Sequence, residues 1–400
     1  MIPVLAIDAF VLDGDFGAVL QRAAADRLLS RSKINLLPGG LPLAAAHYAD
    51  TLTPSLLIVE MGSEASAVDE LAELAEVCAP NTKVIVAGRR NDIVLYRTLL
   101  QQGVSDYLVL PVSPRQVVDA IDAVFTVPGS PRRGHRIGFI GARGGAGSST
   151  VAGNTAFALT RLYQDEAILL DLDLSFGTTS LAFNQPASQA ANGALAHPER
   201  LDATLLERFL VKYEERLRIL PSSATLGSDT QVVSEALDVL LDLVGQMTPF
   251  VVLDLPRLWE PWLIHALTIV DELVITTTPD LAGLRDTKSL LDHMVRSRGE
   301  DAPVRIVLNR CGAYAKGELS AKDFGETLGR LPELSLPYNA PMFLEAFNSG
   351  QMMGQYPKSE KLAEAFQHLA AKVGGRQPPR QKKATSVASW IKGMIRKAGK

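Results

Sequence analysis

A strand that runs into three closely spaced glycines and then into a long helix leaves a chain few ways to fold. Residues 136–162 read RIGFIGARGGAGSSTVAGNTAFALTRL, with apolar positions after the glycines recurring at the helical period. Gly144, Gly145 and Gly147 allow a compact turn whose N–H groups converge, and the helix that follows adds the positive end of its dipole. Such a nest suits an anion, and Ser149 and Thr150 place hydroxyls where one can ligate Mg²⁺ and the other meet a phosphate oxygen. A flexible glycine turn in an α/β domain is the plainer alternative. The order of strand, loop, hydroxyls and helix favours phosphate.

Three later stretches fit the same site. Asp171 and Asp173 follow the apolar run AILL, with Gly177 expected in a mobile loop beyond them. Asp254 ends FVVLD, the position from which an acid orients a metal-bound water, and Asn309 ends IVLN, carrying an amide able to pair with a purine edge. Side chains at the carboxyl ends of parallel strands face the crevice where α/β sheets bind ligands. Singly, each acid could cap a helix or sit in solvent; four positions in order argue against coincidence.

The rest of the chain sets the frame. Its 400 residues suggest two or three units at roughly 150 residues each. Short β-branched runs at 3–7, 55–59, 83–87 and 107–110 alternate with helical patterns, the rhythm of a parallel sheet covered by helices. Residues 126–135 read as a linker, and a second α/β unit fills 136–374. Its strands are expected near 136–140, 167–170, 216–220, 250–253, 272–276 and 305–308. Ordinary hydrophobic content of 47% and 21% charged residues exclude disorder and collagen-like folds. No apolar run is long enough to span a bilayer, the N-terminus lacks the basic start of a signal peptide, and Cys78 and Cys311 form no framework. The expected location is cytoplasmic. Six scattered histidines give no metal-ligand spacing. Trp259 and Trp262 suggest core packing or an apolar contact loop.

Charge is unevenly spread. Residues 376–400 hold eight cations and no acid, so the remainder carries −12 where the whole chain carries −4. On a helical wheel, Val387, Trp390, Ile391, Met394 and Ile395 oppose Lys392, Arg396, Lys397 and Lys400. That is the pattern of a helix lying on a membrane surface, or docking in a partner's groove, or simply a solvated basic tail.

The motifs GARGGAGSSTVAGNTA, LLDLDLSFG, VITTTPDLAGLRDTKSLLD and LPYNAPMFLEAFNSGQ resemble the MinD/ParA superfamily of deviant P-loop ATPases, and within it the CpaE/TadZ branch of pilus-assembly proteins. The resemblance covers most of residues 1–374. It implies ATP and Mg²⁺ as cofactors, with Asp173 orienting the attacking water. Ser149, Asp171 and Asp254 would serve the metal, and Asn309 would read adenine. It also implies a homodimer, contact with the secretion machinery of type IVb (Flp/Tad) pili, and an inner-membrane surface reached through 386–400. The superfamily loop K-G-G-x-G-K-[ST]-[ST] is here Arg143, Gly144, Gly145, Ala146, Gly147, Ser148, Ser149 and Thr150, with Ala142 at the general pattern's first glycine. Arg143 keeps the charge of the first lysine, the one that crosses to a partner's nucleotide. Ser148 does not replace the second lysine's cation, a loss of about 1.5–3 kcal/mol at a polyphosphate. Slow or absent hydrolysis follows.

Residues 1–125 resemble a response-regulator receiver, a flavodoxin-like fold, without its chemistry. Ala9 follows Asp8 where an acid pair is expected, Glu60 stands at the nucleophile, Gly88 at the hydroxyl and Leu110 before Pro111. The expected fold is thus a degenerate receiver followed by a P-loop MinD/ParA-like α/β domain with a mainly parallel sheet. Two rivals remain. A partitioning ATPase that binds DNA fits poorly with an acidic body. A nucleotide-free scaffold would keep the fold and none of the binding.

Overall fold

The computed structural model describes residues 5–26, 29, 32–62, 64–125, 134–186, 190–222, 232–298, 303–314 and 316–379. Most of the expected linker and the amphipathic tail at 386–400 lie outside them. The chain divides into two compact units, Met1–Arg133 and Gly134–Lys400.

In the first unit, β1 (Ala6–Val11), β2 (Lys33–Pro38), β3 (Leu56–Glu60), β4 (Lys83–Gly88) and β5 (Asp106–Val109) form a parallel sheet in the order β2-β1-β3-β4-β5. That is the doubly wound order of flavodoxin-like folds. β3 is buried along its whole length, as its unbroken apolar run requires of a central parallel strand. Leu56 and Ile58 enter one core layer while Leu57 and Val59 enter the other.

At the carboxyl end of this sheet, Glu60 turns inward. Its Oε2 accepts the N–H groups of Leu12 (2.7 Å) and Asp13 (3.0 Å). Asp13 in turn pairs with Arg89 at 2.5 Å. The acid beside Glu60 is therefore Asp13, and the reading that used Asp8 and Ala9 is corrected: β1 begins three residues later than expected. Asp8 sits in mid-strand, bound by the Asn35 amide (2.7 Å) and the Tyr48 hydroxyl (2.5 Å). At Gly88, a Cβ would stand 2.5 Å from the Tyr107 hydroxyl, which donates to the Arg90 carbonyl. The ring occupies the space a larger side chain would need.

The second unit is an eight-stranded sheet in the order β13-β12-β11-β6-β10-β7-β9-β8. Its strands are β6 (His135–Gly141), β7 (Ala167–Asp171), β8 (Val211–Lys212), β9 (Leu217–Leu220), β10 (Phe250–Leu255), β11 (Glu272–Thr277), β12 (Val304–Cys311) and β13 (Leu334–Pro337). Among the described residues only the β8–β9 pair is antiparallel. The helix Ser148–Tyr163 is buried on most sides, since it packs on the sheet beneath and against the helix Glu360–Val373. Its Asn154 stays satisfied in that setting by donating to the Thr150 carbonyl and accepting from the Met353 N–H. The two tryptophans part company: Trp262 is buried, whereas Trp259 is exposed and meets His293 edge-on at 4.9 Å.

Candidate nucleotide site

The glycine turn leaves β6 in the middle of the sheet. Its first residue is tied down on both sides: the Ala142 N–H donates to the Thr276 carbonyl (2.8 Å), and its carbonyl accepts from Arg257 Nε (3.0 Å). Gly145 (φ 74°) and Gly147 (φ 90°) adopt the left-handed conformation that side chains resist. Gly144 has open space around it. Ala146 is buried against the strand end. Gly147 is the N-cap of the helix, with no side chain capping it. The N–H groups of the first helical turn, Ser148, Ser149 and Thr150, therefore lack intrahelical acceptors and carry the positive end of the dipole. Ser149 and Thr150 are exposed, while the Ser148 Oγ is shielded from water and has no partner.

The acids come together by strand register. Parallel pairing of β10 with β7 sets Asp254 directly beside Asp171, both buried. Burial, then the neighbouring Asp171, drives the Asp254 carboxyl well above its ordinary range, against the Ser149 hydroxyl that hydrogen-bonds it. Burial likewise raises Asp171, although it accepts the N–H groups of Asp173 (3.2 Å) and Thr179 (3.1 Å). Two adjacent buried carboxylates and a serine hydroxyl suit a hard divalent cation whose remaining ligands are waters and phosphate oxygens. Among the described residues, three or more acidic, His or Cys side chains nowhere gather into a closed metal cage.

Asp173 is half-buried, with one carboxylate oxygen accepting the Phe176 N–H (2.9 Å). Gly177 departs from the expectation of a mobile loop. It is buried in a tight turn, where a Cβ would fall 1.9 Å from Ser222 Oγ and 2.4 Å from Asp171. Close approach to the acid explains the glycine.

Arg143 bonds Asp280 within its own chain at 3.0 Å. Burial pushes the Asp280 carboxyl up, but the Thr278 hydroxyl, the Gly283 N–H and Arg143 together hold it below its ordinary range. Asn309 leans over the loop, its Nδ2 donating to the Ala146 carbonyl at 2.8 Å. Beyond these residues opens a cleft of about 460 Å³ lined by Arg143, Gly144, Gly145, Asp280, Arg310 and Tyr338. That is a size ordinary for small-molecule sites. Asp280, Thr179 and Arg257 went unnoticed in the sequence. Asp280 could have been found, since it lies just past the end of β11 as Asp173 lies just past the end of β7; the other two act through segments whose paths the sequence does not fix.

Residues 135–295 match the family model of cellulose biosynthesis protein BcsQ. A pilus assembly protein CpaE from Caulobacter crescentus is 42% identical, aligned over 30% of this chain and 99% of its own (TM-score 0.30). A ParA family ATPase from Chlorobium tepidum is 26% identical over 59% of this chain and 97% of its own, with a TM-score of 0.54. The septum site-determining protein MinD of Pyrococcus horikoshii, solved with Mg-ADP, shares the fold: 23% identity, 60% and 95% coverage, TM-score 0.52.

Proposed function

Because this chain belongs to the MinD/ParA superfamily of P-loop ATPases, as a CpaE-like member, we propose that it binds ATP with Mg²⁺ and hydrolyses it slowly or not at all. On this reading it uses the bound state to position or assemble the secretion machinery of type IVb (Flp/Tad) pili. One observation carries the nucleotide reading: an uncapped helix start and left-handed glycine loop facing two buried acids, one of them bonded to Ser149.

The residues divide the work by their chemistry. The N–H groups of 144–150 bind the phosphates, and Thr150 adds a hydroxyl. Ser149, Asp254 and Asp171 would hold Mg²⁺, whose role when bound is to neutralise phosphate charge. Asp173 keeps one carboxylate oxygen outside its turn and can orient a water. Ser148 brings no cation to the transferring group, so the electrostatic stabilisation that dominates this chemistry is weakened.

The first unit serves as a receiver-shaped scaffold that accepts no phosphoryl group. The working form is a homodimer in which Arg143 leaves Asp280 for the partner's nucleotide. Residues 386–400 give it a peripheral hold on the inner membrane from the cytoplasmic side. Among the described residues, no helix is long and apolar enough to cross a membrane.

Calorimetric titration of the full chain with ATP and Mg²⁺, followed by size measurement, tests this reading. Saturable binding is expected, with dimer formation and slow or absent turnover. No heat at millimolar nucleotide would reduce the protein to a scaffold.

A further inference from the structure

We propose that Asn309 is a positioning residue of the phosphate loop, acting on bound phosphate through the Ala146 carbonyl and independently of the base. The proposal rests on the nucleotide reading above.

Three separate features converge on this amide. First, its Nδ2 donates to the Ala146 carbonyl at 2.8 Å, while its Oδ1 accepts the Arg310 N–H at 2.9 Å. Half of its hydrogen-bonding capacity is already committed inside the protein. Second, β12 is irregular at this point: its pairing with β13 shifts register between Leu308 and Cys311, and Arg310 takes φ 62°, a conformation unfavourable for arginine. Bulges of this kind re-aim a side chain next to functional sites. Here the re-aimed side chain is Asn309, and it points at the loop. Third, Gly147 is shaped around it. A Cβ at Gly147 would lie 2.4 Å from Nδ2, so amide and glycine fit only as a pair.

The consequence follows from peptide planarity. The carbonyl of Ala146 and the N–H of Gly147 belong to one rigid trans unit and point in opposite directions. Holding the carbonyl toward β12 fixes where the Gly147 N–H points. A loop with two left-handed glycines has much freedom to lose, and with Ser148 in place of lysine that position offers no cation to gather the phosphates after they arrive. Preorganisation of its N–H groups is what remains, and Asn309 supplies it from a different strand.

The test separates a strut from a base reader. Full-length protein and Asn309→Ala are titrated, with Mg²⁺, against ATP, GTP and inorganic tripolyphosphate. The strut predicts weaker binding of all three by a similar factor, about tenfold. Loss for ATP with tripolyphosphate unchanged would overturn it and assign the amide to the purine. Hydrogen exchange of the segment 139–150, without nucleotide, supplies the second measurement. It should rise in Asn309→Ala, and unchanged exchange overturns the proposal. If the wild type binds none of the three ligands, the nucleotide reading fails on its own, and the exchange result still decides the strut.

Discussion

Each unit places an acid-lined turn at the carboxyl end of a parallel sheet, yet the two turns are in opposite states of satisfaction. In the first unit, the N–H groups after β1 are consumed by the protein's own Glu60, and Asp13 is neutralised by Arg89. In the second, the helix at Ser148 starts without a side-chain cap, and Asp171 and Asp254 lie side by side with no ion-pair partner among the described residues. One architecture can therefore hold a closed site or an open one. What decides is whether a side chain or an outside ligand meets the backbone donors.

The largest expected effect comes from closing the open site by force. Gly147→Ala must place a methyl at φ 90° and 2.4 Å from the Asn309 amide. Strain of about 1–3 kcal/mol, together with displacement of the loop, should weaken ATP binding roughly a hundredfold. Gly144→Ala meets open space and should change affinity less than about threefold. Equal losses in calorimetry would mean that loop geometry does not govern the site. Next in size is Ser148→Lys, which restores a cation where a buried hydroxyl now has no partner. It should tighten ATP binding by about tenfold to a hundredfold in the same assay. Unchanged affinity would mean that the loop no longer presents that position to phosphate.

The contrast between the units was only half legible from residues alone. The open site could be read because its parts follow one another: strand, glycines, hydroxyls, helix, then acids at the ends of β7 and β10. Even Gly145 and Gly147 can be singled out only once their φ values are known. The closed site stayed hidden because its bonds join residues far apart, with Glu60 hooking Leu12 and Asp13 across 48 and 47 positions. A misplaced β1 then put Asp8 where Asp13 belongs. β2 went unseen as well: KINLLP is a half-exposed edge strand ending in proline, without the apolar run that marks β3. β8, two residues long, and β13 are likewise too short or too polar to stand out.

Opening the closed site should cost stability and leave nucleotide binding alone. Glu60→Ala strands two N–H groups in a half-buried turn, a penalty of about 2 kcal/mol in the first unit. A lower unfolding transition with ATP affinity unchanged within about twofold is expected. An equal loss of ATP affinity would mean that the units are energetically coupled. Acetyl phosphate should label neither form, since the aspartate nucleophile of this chemistry is replaced in one and missing from the other.

The smallest effect probes the acids of the open site directly. Burial and Asp171 raise the Asp254 carboxyl in the folded protein, so the folded state holds a proton that the unfolded state releases. Stability from this group is complete below the ordinary carboxylate range and drains away as pH climbs through the raised value. Asp254→Asn removes that dependence. Without nucleotide it should melt higher than the wild type near neutral pH, by about 2–4 °C for each kcal/mol regained. The gain should vanish toward pH 4, where both forms are neutral at this position. Magnesium and ATP should stabilise the wild type and leave the variant nearly unmoved, since the amide cannot offer the charge a divalent ion requires. A variant that melts lower than the wild type at neutral pH would show that Asp254 is already compensated without ligand, and the second unit would then be as closed as the first.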